Sequence, residues 1–391
     1  MFWHNLKLIL ISTLIGSVSV FIFRKKINQK VLFIAIFLLL LVFPHIQTKT
    51  NIIRYRPLEE NRKKLTIPPG NFITEIYNNQ KIYTLAYEKY FNDNYGLRDL
   101  FIRLKNQIDY SLFGVSDEVL LGKDNWLFYK SVVEREEILL EQQSDVDFQN
   151  IQDKILALNK YFQDRGILLV MMPVPMKNSV YPEYYINPTT RRPTVTKFDK
   201  FMTYLKSHPK INTIDVPEIL SKNKNQYQLF YKTDFHWNDT AAYLISQETI
   251  KSINKWTNNS TPWMYQLNTR VDTNFVGGQT NYLATLTSPK EDAVHVANSP
   301  KGSVPDPATP KPFLYYFKSP VTNQKLLPKT LFIGNSYFLN FLNTGIIDHF
   351  SETLMIHSND MAKIPSAVPK DVKIVIWQLI EVDLLKGFLF K

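Results

Sequence analysis

The segment "KTDFHWND", residues 232–239, sets an aspartate two residues ahead of a histidine and follows both with a tryptophan. Alternate side chains of an extended backbone share one side, so Asp234 and His236 emerge together. Three chemistries suit the pair: a carboxylate orienting an imidazole base, two metal ligands, or ordinary loop polarity. A base needs a nucleophile, and "FIGNSYF" offers one. There an apolar strand ends at Gly334, a bend carries Asn335 and Ser336, and a helix is expected from Tyr337. The Ser336 hydroxyl would project from the bend, with the Tyr337 N–H facing the place where an oxyanion forms. A serine that merely caps the helix fits the same residues. The chain has no cysteine, which excludes a thiol nucleophile, thiolate zinc and disulfides. His208, His295, His349 and His357 show no ligand spacing and carboxylate clusters are lacking, so no metal is expected.

These residues need elements to position them. Residues 65–120 place aromatics and aliphatics at helical spacing. "VLLGKDNWLFYK" reads as two extended stretches joined at Asp124 and Asn125. Ile151–Asp164 has helical period, and "ILLVMMP" after Gly166 is a continuous apolar run suited to a central parallel strand. Further along, "INTIDV", "KTLFIG", "ETLMIH" and "VKIVIWQ" read as strands. Thr240–Trp256, with Asn238 or Asp239 as N-cap, "YFLNFLNTGIIDHF" and "IEVDLLKGFLF" read as helices. Such alternation predicts an α/β domain with a largely parallel sheet, whose ligands bind at the carboxyl ends of the strands. Both polar clusters fall at strand ends or just before helices. Lys177 and Tyr181 also follow a strand end and are candidates to line the site; a surface lysine and a packed tyrosine are the alternatives. Trp237 either stacks on a ligand or shields the dyad. Residues 257–328 show no clear element, and Pro300, Pro305, Pro307, Pro310, Pro312 and Pro320 suggest an irregular insertion.

At the N-terminus, residues 6–23 and 31–46 are two apolar runs near the lower length limit for crossing a bilayer. No small-x-small cleavage site follows them, so an uncleaved anchor of one or two helices is expected over residues 1–48. Basic residues lie both between the runs and after the second, and the short basic loop favours an extracytoplasmic main domain. The same flanks explain the charge. Residues 1–64 contain eleven Lys/Arg and two Glu, which leaves the rest only +2 of the overall +11. No argument for nucleic acid remains. A composition 45% hydrophobic and 14% aromatic is that of a folded chain.

Five blocks along the chain resemble one family. "KTDFHWND" looks like the D-x-H-W signature of the AlgX/AlgJ-type SGNH-hydrolase-like polysaccharide O-acetyltransferases, also called DHHW proteins. "LLGKDNWLFYK", "MMPVPMKNSVYPEYY" and "FIGNSYF" resemble its G-K-x-x-W-L-F-Y, P-x-K…Y-P-E and G-[DTN]-S-[FY] segments. "VIWQLIEVDLL" resembles the closing block, although Gln378 and Val382 stand where the family carries Glu and Arg, and no role is assigned there. The resemblance covers residues 93–391 and implies an SGNH-like three-layer domain, with residues 49–92 as juxtamembrane linker and helical region. It implies Ser336 as nucleophile, His236 as base and Asp234 as its orienting carboxylate. Asn281 in "GGQTNYLATL" would be the oxyanion amide beside the Tyr337 N–H, or a loop cap. The implied activity is transfer of acetyl through a serine acyl-enzyme to hydroxyls of a cell-surface or exported polysaccharide. A membrane-bound O-acyltransferase partner would supply acetyl, and no cofactor is required. An esterase with the same triad and a non-catalytic glycan-binding or assembly protein are the rivals.

Overall fold

In the computed structural model, residues 28–58, 64, 84–186, 193–298, 313–319, 325–357 and 368–386 are described. The run after Gly166 becomes a strand, Leu168–Val174, whose last six residues are buried. The described residues hold ten strands: β1 Val119–Leu121, β2 Leu127–Tyr129, β3 Leu168–Val174, β4 Asn212–Thr213, β5 Thr269–Phe275, β6 Glu291–Val296, β7 Tyr315–Lys318, β8 Thr330–Gly334, β9 Glu352–His357 and β10 Ile374–Ile380. Six of them form one mixed sheet in the order β4-β3-β10-β8-β9-β7. Its first four pairings are parallel and β7 closes the edge antiparallel to β9.

Alternating side chains send the central strands into two cores. Val170, Met172, Phe332 and Ile376 pack on one face with Ala241, Ile245 and Ile253 of the helix Asp239–Thr257. Leu169, Met171, Ile333 and Trp377 pack on the other with Ile151, Ile155 and Phe162 of the helix Asp145–Gln163, and with Phe201 and Leu205 of Lys197–Ser207. A sheet buried on both faces explains why its strands read as unbroken apolar runs. The result is helix, sheet and helix in three layers. Because β3, β8 and β10 run parallel, residues that follow all three strands collect at one sheet edge.

Several expectations need correction. "INTIDV" supplies only the two-residue strand β4, because Pro217 sits in the first turn of a helix from Val216 to Asn223 with Asp215 as its cap. "YFLNFLNTGIIDHF" forms two 3₁₀ helices, Ser336–Asn343 and Ile346–His349. Residues three apart eclipse in such a helix, which lets Phe338 and Phe341 bury side by side. The closing helix is likewise 3₁₀ over Glu381–Lys386. The described parts of residues 257–328 hold regular elements that the sequence did not reveal. They contain the antiparallel pair β5–β6, the short helix Gln279–Leu283 and β7. Pro300 to Pro312 and Pro320 lie outside the described residues.

The chain divides into two compact units, Met1–Lys105 and Asn106–Lys391. In the first, the helix Gln29–Thr50 starts at the Asn28 cap and stops at Asn51, a left-handed residue. An 18-residue stretch of this 22-residue helix has a mean hydropathy of 2.3, which makes the helix long and apolar enough to cross a membrane. Beyond it, Tyr55 Oη donates to Gly96 O at 2.6 Å and the Arg103 guanidinium to Arg56 O at 3.0 Å. Residues 84–94 are helical, while residues 65–83 of the expected helical stretch and the apolar run 6–23 lie outside the described residues.

Candidate active site

Asp234 and His236 sit on a loop that doubles back before the long helix. Phe230 bridges Trp237, Asn238 N donates to Leu229 O at 2.9 Å, and Asn238 Oδ1 caps the helix by accepting from Ala241 N at 3.0 Å. The side chains then behave as D-x-H spacing predicts. Asp234 Oδ1 lies 2.6 Å from His236 Nδ1 and also accepts from His236 N at 3.0 Å. Asp234 Oδ2 accepts from Gly278 N at 2.5 Å. Burial by itself raises the Asp234 pKa, but the hydrogen bonds and charge of His236 and the Gly278 N–H outweigh it and hold the carboxyl below its ordinary value.

The nucleophile turn meets this loop from β8. Ser336 Oγ is 2.7 Å from His236 Nε2, and Ser336 is exposed at the open end of the chain Asp234–His236–Ser336. With Nδ1 donating to the carboxylate, Nε2 is left to accept the serine proton. Two ties fix this meeting across a hundred residues of sequence. Trp237 Nε1 donates to Tyr337 O at 3.0 Å, and Tyr337 Oη donates to Phe235 O at 2.7 Å. Burial, then the charges of Asp234, Asp383 and Glu381, push the Tyr337 phenol well up, so it remains a donor. Asp239 adds a third tie, accepting from Asn340 and Asn343 of the 3₁₀ helix at 2.9 and 3.1 Å. Such an arrangement can remove a hydroxyl proton, form an ester on serine and return the proton.

The Tyr337 N–H donates to Asn335 Oδ1 at 3.0 Å, so the capping side chain already occupies the expected oxyanion donor. Trp237 is fully buried, with its ring edge-on to Tyr337 and Phe341, and shields the dyad instead of stacking on a ligand. Tyr181 is buried as well: its Oη accepts from Leu229 N at 2.9 Å, and burial pushes its pKa up to about 12. Lys177, expected to line the site, is 2% exposed and points its ammonium into the backbone of the dyad loop. In each case the side chain is spent on the protein itself. Asn281 lies half-buried on the helix Gln279–Leu283, which directly follows the Gly278 that holds Asp234. Gln378 and Val382 are core positions.

Sequence reasoning missed Glu291 and the pair Gly277–Gly278. Glu291 accepts from Thr233 N and Oγ1 at 2.7 and 2.6 Å. A Cβ on Gly277 would lie 2.4 Å from Thr233 O, and one on Gly278 would lie 2.9 Å from Asp234 Oδ2. The adjacent glycines were a readable sign of close backbone approach. Glu291 carried no local sign. Among the described residues, no group of three or more His, Asp or Glu could hold a metal ion.

The sequence matches the family model of the SGNH hydrolase-like domain, acetyltransferase AlgX, over residues 119–342. A probable alginate O-acetylase AlgJ from Pseudomonas syringae pv. tomato is 28% identical over 174 residues, 42% of this chain and 41% of the relative. The protein of that name from Pseudomonas aeruginosa is 24% identical over 166 residues, 41% of this chain and 40% of the relative. The chain thus spans about two fifths of the length of the curated relatives it matches. Among solved structures, the O-acetyltransferase domain of Pseudomonas putida AlgJ aligns with a TM-score of 0.44 at 18% identity, over 68% of this chain and 92% of that one. The family match covers more than half of the sequence and encloses Asp234, His236 and Ser336, and the chain belongs to the family of SGNH hydrolase-like domains of the acetyltransferase AlgX.

Proposed function

We propose that this protein is a membrane-anchored O-acetyltransferase that moves acetyl through Ser336 onto hydroxyls of a cell-surface or exported polysaccharide. The observation that carries the reading is the unbroken chain from Asp234 through His236 to an exposed Ser336 hydroxyl. In the first half-reaction His236 Nε2 takes the Ser336 proton as Oγ attacks the acetyl carbonyl, then gives that proton to the leaving oxygen. In the second, His236 takes the proton of an acceptor hydroxyl, which attacks the acetyl-serine; the ester bond to Ser336 breaks and Oγ recovers the proton. Asp234 fixes the imidazole tautomer and steadies its positive charge. The Asn281 amide serves the oxyanion, in a role its place beside the Asp234-holding turn supports.

A polysaccharide acceptor is supported by the relatives named alginate O-acetylase. We assign residues 1–48 to a membrane anchor, 49–92 to a juxtamembrane region and 93–391 to the acyltransferase domain, placed outside the cytoplasm. The apolar helix Gln29–Thr50 supports the anchor. Acetyl would reach Ser336 from a membrane-bound O-acyltransferase partner. The test is the full-length protein with an acetyl ester and a candidate glycan, compared with Ser336→Ala. Acetyl on Ser336, seen as a mass increment on its peptide, and acetylated glycan are expected from the wild type and neither from the variant. Glycan acetylation that survives in the variant overturns the reading, and release of acetate with no glycan modified assigns the site to an esterase.

A further inference from the structure

The backbone from Tyr231 to Asp234 is gripped along both edges by buried charges that the transfer scheme leaves unused. On the carbonyl edge, Lys177 Nζ donates to Tyr231 O at 3.2 Å, Lys232 O at 3.1 Å and Asp234 O at 2.6 Å, and also to Gln279 Oε1 at 2.8 Å. On the amide edge, Glu291 accepts from Lys232 N at 2.8 Å, Thr233 N at 2.7 Å, Thr233 Oγ1 at 2.6 Å and Gln228 Nε2 at 3.1 Å. Both residues are buried, Lys177 to 2% exposure and Glu291 to 8%. They come from distant places: Lys177 follows β3 and Glu291 opens β6.

All four Lys177 partners are acceptors, which suits an ammonium and no apolar replacement. Keeping it there opposes burial, which pulls the Lys177 pKa down to about 7 against the charges of Asp234 and Glu291. Neutral groups face it as well: Gln279 and the rings of Trp126 and Phe128, 5.7 and 5.3 Å from Nζ. Buried charge pairs contribute little net stability, because desolvation consumes most of the Coulomb gain. Their effect here is geometric. They fix the peptide planes that aim the Asp234 carboxylate, and through it the imidazole, at Ser336.

We propose that Lys177 and Glu291 are positioning residues, a cation and an anion that clamp opposite edges of Tyr231–Asp234 and hold the Asp234–His236 pair on line with Ser336. This inference rests on the acyl-transfer reading above. It is tested in the full-length protein with Lys177→Met and Glu291→Gln, assayed on a chromogenic acetyl ester and melted by circular dichroism. Both variants are expected to remain folded and to lose kcat roughly 10- to 100-fold with KM within about twofold, as a small misplacement of a base does. Charge adds a signature that mere stability lacks. Removing the cation favours a protonated imidazole and removing the anion disfavours it. The acid limb of the kcat profile should therefore move up by about one pH unit in Lys177→Met and down in Glu291→Gln. Folded variants with wild-type kcat, shifts of the same sign, or unfolding of both variants overturn the proposal, the last because the pair would then serve stability alone. A wild type that never forms acetyl-Ser336 fails the transfer reading itself and is recognised by that mass measurement.

Discussion

Asp234 accepts three hydrogen bonds, two from His236 and one from Gly278. That load has two measurable consequences. First, Asp234→Asn would present an amide donor where Nδ1–H needs an acceptor; kcat should fall roughly 10³- to 10⁴-fold with KM little changed, as steady-state kinetics on an acetyl ester would reveal. Second, the lowered pKa links Asp234 to stability. A carboxyl with a depressed folded-state pKa contributes stability above its unfolded value of about 3.9, and loses it as pH falls through the folded value. The Tm gap between wild type and Asp234→Asn should therefore be wide at neutral pH and close as the pH drops below about 4. A gap that stays constant down to strong acid would show that the ionised form is not what stabilises the loop. Asp234, His236 and Ser336, which the fold brings within hydrogen-bonding distance, were legible as candidates because few residue types can do this chemistry. Lys177, Tyr181 and Trp237 stayed open between two readings each, because the same side chains suit both ligand contact and burial, and burial is a property of distant packing.

Between elements, the site depends on how three segments cross: the dyad loop, the nucleophile turn and the Gly277–Gly278 turn. The third offers the sharpest test. Gly277→Ala would place a methyl 2.4 Å from Thr233 O, so one of the two backbones must withdraw. Overpacking of this kind costs about 1–3 kcal/mol, and the same displacement would carry Gly278 N away from Asp234. A lower Tm together with lost activity on an acetyl ester is expected; an unchanged variant would mean that the close approach is not needed. Trp237→Phe removes the buried hydrogen bond to Tyr337 O, at a cost of about 0.5–1.5 kcal/mol by chemical denaturation. Strand and helix positions were readable from apolar period, as in β3 and Asp239–Thr257. The two-residue β4 and the 3₁₀ helix after Ser336 were not, since a proline-led helix start and paired phenylalanines overrode the local pattern.

For the whole molecule, a sheet covered on both faces gives a rigid edge on which Ser336 and Lys177 follow parallel strands. The helix Gln29–Thr50 raises the separate matter of the bilayer. Its exposed Phe33, Phe37 and Leu41 have no counterpart in the core clusters, and the proposed anchor would bury them in lipid. The full chain should stay in the membrane pellet after alkaline carbonate extraction, and release into the supernatant would refute the anchor.

By itself, the sequence determined the chemistry available: no thiol, a carboxylate-imidazole pair at D-x-H spacing, a serine at the end of an apolar strand, and a charge excess concentrated in the N-terminal flank. These are matters of residue type and short spacing, which a chain carries before it folds. Only the tertiary structure decided which polar groups face solvent and which are consumed inside. It brought Ser336 to His236 across a hundred positions, turned Lys177 inward and drew Glu291 to the backbone of Thr233. Contacts of that separation are chosen by packing of the whole core, because a buried polar group must find its partner wherever the fold supplies one.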